Sequence, residues 1–147
     1  MRSLAAPLAS FALIVALTPV AVAQNRPYTE GPVMNVSYIQ VKPGMFDKYV
    51  KWLATDWKRN MEAQKKEGVI LDYAVYSSPQ SREGDWNMVL TTTYKNMAAL
   101  DNLRDRAEPL VNRTLGTTPE QRAQEAIERE AMRDQIGSRL LRQLILK

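Results

Sequence analysis

Residues 33–68 read VMNVSYIQVKPGMFDKYVKWLATDWKRNMEAQKKEG. The first nine alternate. Met34, Val36 and Tyr38 fall on one side of an extended chain, and Asn35 and Ser37 on the other, with Ile39 and Val41 following on the Asn/Ser side. Period two with β-branched and aromatic residues predicts a strand over Val33–Val41. Pro43-Gly44 stops it, because proline presets φ and glycine tolerates the positive φ of a tight turn. The period then changes. Phe46, Val50, Leu53, Trp57 and Met61 form one stripe of an amphipathic helix running from about Met45 to Glu67. Asp47 in the first turn and Lys65-Lys66 in the last suit the helix dipole, and Gly68 is placed as a C-cap. Tyr49 and Trp52 lie beside the stripe, at the edge of the expected core.

Upstream, residues 1–23 (MRSLAAPLASFALIVALTPVAVA) carry Arg2, an apolar run from Phe11 to Leu17 and a terminal Ala21-Val22-Ala23. That is the pattern of an export signal cleaved before Gln24. A spanning helix needs about 20 unbroken apolar residues; Pro7, Ser10, Thr18 and Pro19 interrupt this one. No later stretch is apolar enough to span a bilayer. Residues 24–32 (QNRPYTEGP) read as a flexible arm, and 33–147 as one domain with room for a sizeable core.

Downstream, Val69–Ser77 alternates as a second strand and Asp85–Tyr94 as a third, joined by the turn-rich Ser78–Gly84. Asn96 is a good N-cap for a second helix carrying Met97, Leu100 and Leu103, with Pro109 expected to kink or break it. Thr118 with Gln121 forms a capping box around Pro119, opening a third helix expected to reach Ile136. Its apolar stripe, Ala123, Ile127 and Ala131, is thin, so it is placed on the outside. Ser138–Lys147 resembles a closing strand, with a helical tail as the alternative. The order is β-α-β-β-α-α-β, a split βαβ pattern with one extra helix.

Composition excludes a good deal. The sequence has no Cys and no His. Disulfides, Ser-His-Asp and Cys-His nucleophiles are out, and so are the familiar zinc sites. No cofactor is expected. The chain carries +4, and residues 1–23 contribute Arg2 alone, so the exported form carries about +3. Signs are mixed locally, as in Lys65-Lys66-Glu67 and Glu128-Arg129-Glu130. A nucleic-acid partner is not expected, because no face gathers the basic residues. Two glycosylation-type triplets, Asn35-Val36-Ser37 and Asn112-Arg113-Thr114, are read as chance.

Sorting the strands by parity separates two sheet faces. One holds Met34, Val36, Tyr38, Leu71, Tyr73, Val75, Trp86, Met88 and Leu90, and is expected under the helices. The other holds Asn35, Ser37, Ile39, Asp72, Ala74, Tyr76, Asn87, Val89, Thr91 and Thr93. This mixed face suits a wet surface, a sheet-to-sheet contact or a pocket with a few polar anchors.

The VxPGxFDxYV turn (Val41 to Val50), the TxYKNMAALD stretch (Thr92 to Asp101) and the element order resemble the dimeric α/β-barrel, ferredoxin-like superfamily. The resemblance implies an antiparallel sheet with helices on one face. It also implies two such sheets meeting across a two-fold axis to enclose a cavity. Members include cofactor-free monooxygenases, isomerases, haem-handling proteins and exported bacterial proteins of no known role, which this chain looks most like. The haem-handling members use a His that this chain lacks.

On the mixed face itself, Asp72 is the candidate general base, its pKa raised if the face closes, with an exposed or Arg-paired strand carboxylate as the alternative, and Tyr76 is a candidate proton donor or a space-filling residue. Asn35 and Asn87 are candidates to hold a carbonyl or enolate oxygen. Ser37, Thr91 and Thr93 complete the candidate ligand-binding set. The leading reading is an exported homodimer that binds a small, partly apolar molecule on the open sheet face. The alternatives are a cofactor-independent monooxygenase or isomerase, and a module that only dimerises.

Overall fold

The computed structural model describes residues 26–78, 82 and 84–147. The segment read as an export signal lies outside them. The elements are β1 (Tyr28–Val41), α1 (Phe46–Trp52), a π-helical turn (Leu53–Trp57), α2 (Lys58–Lys66), β2 (Asp72–Ser77) and β3 (Met88–Tyr94). There follow a 3-10 turn (Met97–Leu100), α3 (Leu103–Leu115), α4 (Pro119–Glu130) and β4 (Arg133–Leu146). The strands form one sheet in the order β2-β3-β1-β4, every neighbour antiparallel. The helices cover one face, so this is the ferredoxin-like α+β fold. Among the described residues no helix is long and apolar enough to cross a membrane.

The local signals explain most boundaries. Met45 N donates to Lys42 O at 3.0 Å across the Pro43-Gly44 turn, where Gly44 has φ 75°. Gly68 (φ 68°) and Gly116 (φ 67°) take the left-handed cap positions after α2 and α3. Thr118 and Gln121 exchange both capping-box hydrogen bonds, and Pro119 opens α4.

Five expectations are corrected. The arm does not stay free, because β1 starts at Tyr28 and its first residues pair with Leu146, Ile145 and Leu144 of β4. A long C-terminal strand supplies the backbone partners. The α1 stripe is rotated: Phe46 and Val50 are 48% and 38% exposed, while Tyr49, Leu53, Met61 and Gln64 are buried. The π-helical turn adds a residue to one turn and swings the inward face round. Near Pro109 the chain does not break. The interruption falls at Asn102, left-handed at φ 51°, and α3 then runs through Pro109. α4 ends at Glu130, short of Ile136, because Arg133–Gln135 pair with Val41–Ile39. Gly137 therefore lies inside β4, next to a bulge at Ile136, rather than at a helix end.

The fifth correction concerns the sheet faces. Residues opposite one another in antiparallel strands share a face. Val33, Asn35, Ser37 and Ile39 pair with Tyr94, Thr92, Leu90 and Met88. Tyr73 and Val75 join them through Thr92 and Leu90. This set lies beneath the helices: Ile39, Val41 and Met88 cluster with Tyr49, Leu53 and Met132, and Tyr94 with Met61 and Ile70. Trp57 packs against both clusters. The open face carries Met34, Val36 and Tyr38 opposite Thr93, Thr91 and Val89, with Asp72, Ala74 and Tyr76 beside them. The parity reading holds for β2 and β3 and inverts for β1. Asn35, Ser37 and Ile39 face the helices, and Met34, Val36 and Tyr38 face out. Trp86 changes sides with Tyr38, against which its ring packs at 5.5 Å. The reason lies in β1 itself: it buries Val33 and Ile39 toward the helices and Val36 among its neighbours on the open face, so apolarity alone does not tell its two faces apart.

Candidate functional site

Inverting β1 puts two small polar residues where large apolar ones were expected, beneath the helices. Space opens there. A cavity of about 340 Å³ lies between the sheet and the helical layer. Ser37, Ile39 and Leu90 border it from the sheet. Tyr49, Trp52, Asp56, Trp57, Asn60 and Met61 border it from the first helical stretch, and Val111 and Leu115 from the end of α3. Arg122, Glu125 and Arg129 come from α4, and Arg133 and Gln135 from the start of β4.

The side chains are ordered by stacking. The rings of Tyr49 and Trp52 lie 5.7 Å apart and 13° from parallel. The Arg129 guanidinium sits 5.0 Å from the centre of the Trp52 ring, a cation–π contact. Trp57 meets Tyr73 edge-on at 5.1 Å. Helical spacing makes this possible. Arg122, Glu125 and Arg129 are three and four apart, so they share one face of α4 and it is that face that lines the cavity. Ile127, from the thin apolar stripe of α4, is 62% exposed.

The electrostatics are unbalanced. Arg122 is committed elsewhere: it donates to Glu108 Oε1 at 3.0 Å, to Thr117 O at 3.2 Å and to the Asn112 side chain. Asp56 is held by Arg59 at 3.2 Å. Among the described residues neither Arg129 nor Arg133 has an acid within 4.0 Å. Burial and then the neighbouring Arg133 charge hold Arg129 below the usual guanidinium value. Tyr49 is fully buried, and its hydroxyl has no hydrogen-bond partner. Burial pushes that phenol up, while the Arg133 and Arg129 charges and the Arg133 side chain close beside the hydroxyl oppose the shift. Arg133 Nε is a second buried donor without an acceptor. Buried donors are nearly always paired, and leaving one unpaired costs about 1–3 kcal/mol.

The residues singled out from sequence fall into three places. Asp72, Tyr76, Thr91 and Thr93 are together on the open face. Asp72 accepts from Lys65 Nζ at 2.8 Å. That bond and the Lys65 charge hold its carboxyl below the usual range, the opposite of what a desolvated base needs. Tyr76 is 58% exposed, and Thr91 is buried. Asn35 and Ser37 are on the helix side, and Ser37 alone reaches the cavity. Asn87 is a structural bracket: its Oδ1 accepts from Val41 N at 2.8 Å and its Nδ2 donates to Val41 O at 3.2 Å. Sequence reasoning missed Arg129 and Arg133. The spacing of Arg122, Glu125 and Arg129 was the available signal, hidden because polar helix faces normally face water.

No protein-family model matches the chain, and no curated protein matches it by sequence. Among solved structures it is similar to HapK from Hahella chejuensis, with a TM-score of 0.50 and 11% identity, over 76% of this chain and 91% of that one. A dimeric ferredoxin-like protein from an uncultured marine organism matches with a TM-score of 0.45 and 11% identity, over 81% of this chain and 98% of that one. A dimeric ferredoxin-like protein of unknown function from Thermobifida fusca matches at 0.40 and 7%, over 80% and 94%. The likeness to HapK is one of fold alone.

Proposed function

We propose that this chain is an exported, homodimeric small-molecule-binding domain. Its ligand lies in the cavity between helices and sheet, and the open sheet face meets a second copy. The observation that carries the binding reading is the Tyr49 hydroxyl, fully buried, without a partner and on the wall of a 340 Å³ cavity. Evolved interiors rarely keep such a group unpaired, whereas a binding site leaves it for the ligand. The cavity thus replaces the open sheet face as the place for a ligand.

Support for the second copy comes from the uncovered face. Met34, Tyr38, Tyr76 and Leu141 carry apolar surface there with no helix above them. Apolar side chains on an uncovered sheet face favour association with a second copy. Support for export comes from residues 1–23 alone.

Native mass spectrometry of protein taken from its own host tests all three parts together. The expected result is a dimer of chains beginning at Gln24 that retains a small molecule. A ligand-free dimer that no compound stabilises against heat would sink the binding reading. A monomer at micromolar concentration would sink the second copy, and an intact residue 1–23 segment would sink export.

A further inference from the structure

Cations dominate the unpaired groups in the cavity. Tyr49 Oη and Arg133 Nε are both buried without a well-formed hydrogen bond, and the Arg133 side chain lies beside the Tyr49 hydroxyl. Arg129 and Arg133 are cations set close enough to repel one another, and neither has a carboxylate within ion-pair range among the described residues. What is missing is therefore an acceptor with negative charge. A carboxylate has acceptor sites for about four hydrogen bonds and is the natural partner of a guanidinium fork. Glu125 also borders the cavity and its charge favours the Arg129 cation, yet it pairs with neither arginine. Elsewhere the lining is apolar, with Trp57, Met61, Leu90, Val111 and Leu115. An inorganic anion leaves that surface unused.

We infer that the cavity binds a small organic acid, with its carboxylate received by Tyr49, Arg129 and Arg133 and its apolar body against Trp57, Leu90 and Leu115. This rests on the binding reading above and adds the chemical class of the ligand. Tyr49 contributes a neutral donor and Arg133 a directional one. Arg129 is held in place by its contact with the Trp52 ring. An arginine guanidinium stays charged in proteins, so Arg129 presents a cation to the ligand.

Two probes of the same shape separate charge from fit: 2-naphthoate and its neutral amide, 2-naphthamide. Binding to the full-length wild-type protein is read by calorimetry and by quenching of tryptophan fluorescence. The acid is expected to bind at least tenfold more tightly than the amide, and to lose that advantage in R129Q and in R133Q. Both variants should keep the circular dichroism and the melting transition of wild type, which reports that they are folded. Equal or tighter binding of the amide by the wild type overturns the organic-acid assignment and leaves the cavity reading standing. Failure of both probes to bind at millimolar concentration overturns both.

Discussion

At the scale of single residues, Tyr49 carries two opposed contributions to stability. Its ring is core, stacked on Trp52 and packed with Leu53 and Met88, while its hydroxyl has no partner. Tyr49→Phe keeps the ring and removes the unpaired group. Because an orphaned buried hydroxyl costs about 1–3 kcal/mol, the ligand-free variant should melt a few degrees higher than wild type. Calorimetric melting of both proteins checks this, and a lower Tm would show that the hydroxyl is satisfied after all. Tyr73 gives a second residue-scale expectation. Its hydroxyl donates to Glu62 Oε1, and desolvation, that bond and the Glu62 charge push the phenol up from 10.0 to about 12. The folded state favours the neutral phenol. Its stabilising contribution is therefore complete below pH 10 and is lost as pH climbs toward 12. An ultraviolet phenolate titration of wild type against Tyr73→Phe isolates the group. A titration at the ordinary value would mean that Glu62 does not hold it.

Among the elements, the first helical stretch and α4 show why a periodic pattern was read correctly as a helix and incorrectly as a face. Leu53 is buried and Val50 is 38% exposed, although both stood in one sequence stripe. Leu53→Ala should cost about 2–5 kcal/mol, as core truncations do, and Val50→Ala no more than about 0.5 kcal/mol. Denaturant unfolding measures both, and equal costs would restore the unbroken stripe. The turn chemistry around these elements was legible: Pro43-Gly44, Gly68, Gly116 and the Thr118–Gln121 box all sit where local preferences put them. Such signals are local, so neighbours in sequence decide them. The direction a helix or strand faces is a tertiary property. The π-helical turn at Leu53–Trp57 has no sequence mark that was used, and it displaces the inward row. In β1, Asn35 and Ser37 looked like an outer face because small polar residues usually are. They face inward here because the cavity lies above Ser37. In α4 the thin apolar stripe did not show which row lines the cavity. Its charged row faces the cavity and its aliphatic residue Ile127 faces water. Each misreading falls beside the cavity, where the local patterning departs from the usual rule.

For the molecule as a whole, the outstanding physical problem is the edge strand. β4 is fourteen residues long and among the described residues pairs only with β1, and Leu140, Leu141, Leu144, Ile145 and Leu146 are all exposed along it. A long apolar edge with free backbone groups invites uncontrolled pairing unless something covers it. A second copy laid on the open face would cover Leu141, which stands opposite Met34 on that side. Leu141→Glu puts a charge there without touching the core clusters on the helix side. The expected result in sedimentation is a shift from dimer to monomer at micromolar concentration, with the circular dichroism of the folded chain kept. Ile127→Glu is the matched control. It adds the same charge at a position 62% exposed on α4, beneath which lies the cavity and not the sheet's outer face, so the dimer should persist. The contrast between these two variants fixes which side of the sheet associates. If the α4 variant dissociates and the β4 variant does not, the second copy sits on the helical layer, and the open face must be explained by another partner.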